Sequence, residues 1–250
     1  MTNNVEILKE RDQILTGLLY AVASSPVLNP ELILQGGGAL HFVYSSPRYS
    51  SDLDFVFPNF ILKADEAISE LLNNTKIDEK MFYLPRLAKR DTSYARIAYD
   101  PPMEQGIVAK IELKDIPAEE FAPSQGVFHP LLVESPKELY ADKVVATLHR
   151  METRQLLKST DLFDLDYIND NLDGKATDDK IERKAATYNY LGWSRENAEA
   201  VIRNITNPAN HELFRKLLRK TLLPDVYANR KFDSAFFENT ARHFESLRKI

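Results

Sequence analysis

Three consecutive glycines, followed a short loop later by two aspartates flanking a leucine, constrain this chain more than any other feature. The glycines lie in Gln35-Gly-Gly-Gly-Ala39 and the aspartates in Tyr49-Ser-Ser-Asp-Leu-Asp-Phe-Val-Phe57. Side chains alternate faces along a β-strand, so Asp52 and Asp54 point one way while Leu53, Phe55 and Phe57 take the core. Upstream, Leu32-Ile-Leu34 reads as a short buried strand running into Gly36, and residues 39–44 read as a helix leaving Gly38. The expected unit is strand, glycine turn, helix, polar loop, strand. Two like charges on one strand face are costly unless a cation or water neutralises them.

The rest of the chain divides by its periodicity. Residues 5–24 and 62–72 carry helical spacing, whereas 96–99 and 107–113 read as strands around the Pro101-Pro102 turn. In the later strand Ile107, Ala109, Ile111 and Leu113 share one face, and Val108, Lys110, Glu112 and Lys114 share the other. After Ser135-Pro136 helical periodicity takes over, with helices expected at 137–158, 162–169, 178–191, 194–204, 211–222 and 234–248. Gly174, Gly192, Pro208 and Pro224 are expected to stop them. Strands early and helices late predict an α+β domain over residues 1–134 followed by a helical domain over 135–250, with the boundary near 133–136.

Composition narrows the chemistry. There is no cysteine, which removes disulfides, thiolate zinc sites and cysteine nucleophiles and suits a reducing cytoplasm. The apolar stretch at 14–23 is too short to span a membrane, and Asp12 with the leucine spacing favours an amphipathic helix over a signal peptide. A net charge of −5 argues against a protein coated in positive charge but leaves room for a local basic groove. The five histidines show no metal-ligand spacing, and there is no Walker loop.

Each motif carries a chemical and a bland reading. Gly36 to Gly38 can present backbone N–H groups to an anion, or simply make a tight ligand-free turn. Asp52, Asp54 and Glu112, if on neighbouring strands, would offer hard oxygen ligands suited to Mg²⁺. Against that, Lys110 and Lys114 could make Glu112 part of a plain charged strand. Lys143, Thr147, Arg150 and Arg154 form a polar stripe that could hold phosphates; spacing alone favours a solvated helix face. Asp161 and Asp164 open a helix, where ordinary capping is the simpler account. Arg86, Lys89, Arg90 and Arg215, Lys216, Arg219, Lys220 could guide an RNA backbone, but the second set fits better as the outer face of a helix.

Taken together, Gly36-Gly-Gly-Ala-Leu40, Tyr44, Arg48 and Ser51-Asp-Leu-Asp-Phe55 resemble the AbiEii/AbiGii toxin family of nucleotidyltransferases. Glu138-Leu-Tyr-Ala-Asp-Lys-Val-Val-Ala146, Arg150 and Thr160-Asp-Leu-Phe-Asp-Leu165 resemble that family's lysine helix and its later acidic motif. The resemblance covers about residues 30–170. It implies a polymerase-β-like nucleotidyltransferase fold with a mixed sheet and a helical C-terminal domain that completes the nucleotide and acceptor site. It implies Mg²⁺ (or Mn²⁺) on Asp52, Asp54 and Glu112, and a nucleoside triphosphate held by Gly36, Gly37, Gly38, Arg48, Ser51 and Lys143. Asp161 or Asp164 would complete the catalytic set. It further implies transfer of a nucleotide, with release of pyrophosphate, to an acceptor such as tRNA, and a separately encoded antitoxin. Gly38 departs from the family's threonine or serine and removes a hydroxyl donor. Transfer to a protein or small molecule, or an inactive nucleotide-binding module, are the alternative readings.

Overall fold

The computed structural model describes residues 2–29, 31–56, 81–89, 92–99, 109–114, 116–190 and 194–249, in backbone only for 2–4, 81–89, 92–99, 109, 248 and 249. The helix expected at 62–72, together with Phe57, Ile107 and Val108, lies outside the described residues. The chain forms two compact units, Met1–Glu134 and Ser135–Ile250.

The first unit opens with α1 (Thr2–Ser24). Its Leu15, Leu18, Leu19 and Val22 follow helical spacing and are completely buried, each contributing roughly 1.5–3 kcal/mol of burial. Next come β1 (Ile33–Gln35), α2 (Gly36–Phe42), β2 (Asp52–Val56), β3 (Met81–Lys89), β4 (Thr92–Tyr99), β5 (Ala109–Lys114), β6 (Phe121–Pro123) and β7 (Leu132–Glu134). They build one seven-stranded sheet in the order β3-β4-β5-β2-β1-β7-β6. The β2–β5 and β1–β7 pairs are parallel and the other pairs antiparallel, so the sheet is mixed. Periodicity missed β3, β6 and β7. The latter two have three residues each, too few to show alternation.

One boundary expectation is corrected. The glycines do not precede the second helix; they are its first turn, and α2 starts at Gly36. Of these three glycines Gly36 uses the conformation that glycine permits, at φ +68°.

The second unit contains α3 (Pro136–Arg154), α4 (Ser159–Leu172), α5 (Asp178–Thr187), α6 (Arg195–Thr206), α7 (Pro208–Leu218), α8 (Pro224–Asn229) and α9 (Ser234–Ala241), with short 3₁₀ turns after it. Ser135 caps α3, its hydroxyl accepting from the Glu138 N–H at 3.2 Å, and Pro136 opens the helix. Pro208 and Pro224 likewise begin helices instead of ending them, because proline has no N–H to lose in a first turn. Gly174 does follow a helix end: Asp173 turns left-handed and the Gly174 N–H donates to the Ile168 carbonyl at 3.3 Å. Tyr140, Phe163, Phe237 and Phe244 anchor this unit's core.

Candidate active site

The sheet places the acidic residues by register. Because β2 and β5 run parallel, Asp54 lies opposite Glu112, and Asp52 lies opposite Lys110. Leu53, Phe55, Ile111 and Leu113 are buried on the apolar face. Asp52, Asp54, Lys110, Glu112 and Lys114 share the other face and are half-buried. On the far side β1 brings Gln35 opposite Asp54.

The glycines permit close approach. A Cβ on Gly36 would stand 2.9 Å from Asp54 Oδ2, so the start of α2 presses on that carboxylate. A Cβ on Gly37 would collide with the Arg48 guanidinium and come within 3.2 Å of Ser50 Oγ. Gly38 packs on β2, where a Cβ would be 3.1 Å from Leu53 Cδ2 and 3.3 Å from the Asp52 carbonyl. The missing hydroxyl at position 38 thus accompanies a tight helix-to-strand contact.

The loop between α2 and β2 is built from its own polar atoms. Arg48 is buried, with Nη1 donating to the Tyr49 carbonyl at 2.9 Å. Ser50 Oγ donates to the Asp52 carbonyl at 2.9 Å and lies 3.4 Å from Asp52 Oδ1. Ser51, singled out in the sequence, is exposed, and its neighbour Ser50 is the serine that meets Asp52. Tyr44 donates its hydroxyl to the Glu134 carbonyl at 2.7 Å, and burial, with Glu134 and Glu120, pushes its pKa up to about 12.

Electrostatics set the members of this face apart. Burial first, then Asp52 and Glu112, push the Asp54 carboxyl up to about 6 against the opposing pull of Lys114. Glu112 also feels burial, but Lys114 and Lys110 outweigh it and hold the carboxyl below its ordinary value. Lys110 is ion-paired to Glu112, while Lys114 Nζ lies 3.6 Å from Glu112 Oε1 and 4.0 Å from Asp54 Oδ1. From α1, Arg11 is lowered by burial and feels the charge of Asp52. Glu112 therefore belongs both to the acid face and to a charged lysine strand, the two readings its sequence allowed. Among the described residues no three His, Asp or Glu side chains are grouped as a metal cage.

Lys143 on α3 has a different setting. It is buried, with Nζ 3.0 Å from Asp161 Oδ1 and 2.8 Å from Asp164 Oδ2 on α4. Arg150 is also ion-paired to Asp161. Burial raises Asp161, but Lys143, then Lys158 and Arg150, outweigh it and hold its carboxyl well below the usual carboxylate range. Two sequence expectations are corrected here. The Lys143 stripe is solvated only toward its end, since Lys143 and Thr147 are buried, Arg150 is half-buried and Arg154 is exposed. Asp161 and Asp164 do not cap α4, whose N-cap is Lys158 with no side-chain bond. Both corrections have one cause: α3 and α4 pack together, and a buried ammonium needs carboxylates.

Of the basic residues, Arg86 and Lys89 are described in backbone only and Arg90 lies outside the described residues. Lys216, Arg219 and Lys220 are exposed on and after α7, as an outer helix face requires. Arg215 instead donates to the Phe232 carbonyl at 2.7 Å. Arg11 was missed in the sequence because nothing local links α1 to β2.

Comparison with known proteins adds the family. The model of the AbiEii nucleotidyl transferase toxin of type IV toxin–antitoxin systems matches residues 17–242. JHP933 from Helicobacter pylori has a similar fold, with TM-score 0.52, 15% identity, and coverage of 97% of this chain and 92% of that one. MenT4, a nucleotidyltransferase toxin from Mycobacterium tuberculosis, aligns with TM-score 0.50 and 18% identity over 98% of this chain and 86% of that one. No curated protein sequence matches the chain.

Proposed function

The chain belongs to the AbiEii family of nucleotidyl transferase toxins and is a nucleotidyltransferase, and from that premise we propose how it acts. It transfers a nucleoside monophosphate from a nucleoside triphosphate to an RNA acceptor such as tRNA, with Mg²⁺ bound through Asp52 and Asp54. The reading is carried by one observation: the register that sets Asp54 beside Glu112 while Gly36 presses on the Asp54 carboxylate.

The donor set fits a hard divalent cation. Asp54 is crowded by Asp52 and Glu112, and burial first, then those two carboxylates, raises its pKa against the pull of Lys114. Bound there, Mg²⁺ would polarise the α-phosphate and offset the charge of the departing pyrophosphate. The chain's own residues do the rest. Gly36, Gly37 and Gly38 let the first turn of α2 lie directly against Asp54, Arg48 and β2, and Arg48 and Ser50 hold the loop beside it. Within the helical unit, Lys143, held by Asp161 and Asp164, is the proposed phosphate-binding cation. The acceptor hydroxyl oxygen bonds to the α-phosphorus as the bond to the bridging oxygen of the β-phosphate breaks. Pyrophosphate leaves, and the hydroxyl proton passes to solvent.

Incubation with each α-labelled nucleoside triphosphate, Mg²⁺ and total RNA should label RNA. Label confined to protein or to small molecules would overturn the RNA acceptor, and no transfer at all with nucleotide bound would make the chain an inactive module. As a member of a toxin family it is proposed to work in the cytoplasm against a separately encoded antitoxin. No described helix is long and apolar enough to cross a membrane. Expression with and without the neighbouring gene tests that pairing by growth arrest and its relief.

A further inference from the structure

The acid face of the first unit carries its own cations. Lys110, Glu112 and Lys114 alternate along β5, so all three project to the side where β2 presents Asp52 and Asp54. Lys114 Nζ stands between Glu112 Oε1 at 3.6 Å and Asp54 Oδ1 at 4.0 Å, and Lys110 is ion-paired to Glu112. Arg11, on α1, acts on Asp52. Three carboxylates thus face three cations of the same chain.

A divalent ion seeking Asp54 would meet an ammonium already 4.0 Å from that carboxylate and 3.6 Å from Glu112. Two cations cannot share that space, because unit charges about 4 Å apart in a partly buried site repel by several kcal/mol. A nucleoside triphosphate changes the balance. Its phosphate oxygens give the ammonium somewhere to go, and lysine serves phosphate well as a mobile point charge.

We propose that Lys114 is a built-in counter-ion of the acid site: it occupies the place between Asp54 and Glu112 in the nucleotide-free protein and passes to the phosphates when the metal–nucleotide complex binds. Divalent metal and nucleotide consequently enter together, and free metal is held weakly. This inference rests on the nucleotide site proposed above and assigns Lys114 a part in binding order, with Lys110 and Arg11 holding the neighbouring charges.

The test is a Mn²⁺ titration of the full chain followed by electron paramagnetic resonance, with and without a non-hydrolysable nucleoside triphosphate. Wild-type protein should retain little Mn²⁺ alone and at least tenfold more affinity for it with nucleotide. Lys114→Met should bind Mn²⁺ alone at least tenfold more tightly than wild type, yet bind the Mn²⁺–nucleotide complex about tenfold more weakly. Its melting temperature should fall without metal and recover with Mn²⁺, since Asp54 and Glu112 lose the cation they share and Glu112 keeps Lys110. Lys114→Arg should keep weak binding of free Mn²⁺. Unchanged affinities in Lys114→Met, with nucleotide still bound by wild type, overturn the counter-ion while leaving the nucleotide site intact. Failure of wild type to bind nucleotide under any condition overturns both.

Discussion

Asp54 on β2 and Asp161 on α4 are both aspartates withdrawn from water beside a lysine, yet their carboxyls move in opposite directions. Asp54 is raised to about 6, because burial, Asp52 and Glu112 together outweigh a lysine 4.0 Å away. Asp161 is driven far down, because Lys143 at 3.0 Å and the paired Arg150 outweigh burial. The second unit repeats the compensated pattern at Glu138, whose oxygens lie 2.7 Å from Lys180 Nζ and 2.6 Å from Lys184 Nζ. An acid matched in advance serves the folded unit. An acid left undermatched costs the folded state something and gains it back when a cation arrives.

The largest effect that could break this contrast lies in catalysis. Asp54→Asn should lower nucleotide transfer by about a thousandfold, roughly 4 kcal/mol of transition-state stabilisation, without lowering the melting temperature at neutral pH. Full activity in that variant would remove Asp54 from the chemistry. Its counterpart, Glu138→Gln, should do the reverse. Lys180 and Lys184 both lose the Glu138 carboxylate, Lys184 keeping Asp142 at 3.2 Å, so urea denaturation should show a loss of about 3 kcal/mol.

Acid separates the units more gently. His243 is buried against the Tyr140 hydroxyl at 3.1 Å, and burial, then Lys175, lower its pKa to about 4. A histidine kept neutral on folding contributes stability that is present above about 6.5 and is lost as pH falls toward 4, about 3 kcal/mol in all. Asp54 has the opposite sign. Its folded carboxyl binds protons more tightly than the unfolded one, so it gives the fold about 2 kcal/mol as pH falls from 6 to 4. Hydrogen exchange by peptide, corrected for intrinsic rate, should therefore show protection lost in α3 and α9 over that range while β2 and β5 hold theirs. Matched losses in both units would erase the distinction.

The smallest effect concerns the backbone. Gly36→Ala forces a side chain into φ +68° and against Asp54 Oδ2, which should cost about 1–2 kcal/mol in thermal unfolding. Transfer activity should fall with it, because the added methyl displaces the Asp54 carboxylate.

Much of the first unit was legible in the chain. Alternation put Asp52, Asp54 and Glu112 on polar strand faces, and their strands do lie side by side. The glycines' role was half legible: their presence signalled a turn, but only the observed φ shows Gly36 alone to need one, with Gly37 and Gly38 needing space. Arg11 was invisible, since its partner lies across a fold from it. The buried Lys143 group was misread for the same reason. A helix face of Lys, Thr and Arg looks solvated until another helix covers it, and α4 supplies the acids that make covering affordable.

What the sequence determined alone is local: period-two strands, period-3.6 helices, and which face of its own strand each charge takes, all set by backbone geometry within a few residues. What only the tertiary structure decided is which charges meet. Strand register sets Asp54 beside Glu112 with Lys114 between them, and helix packing closes Asp161 and Asp164 on Lys143. Coulomb energy depends on distance and burial, and both exist only once the chain has folded.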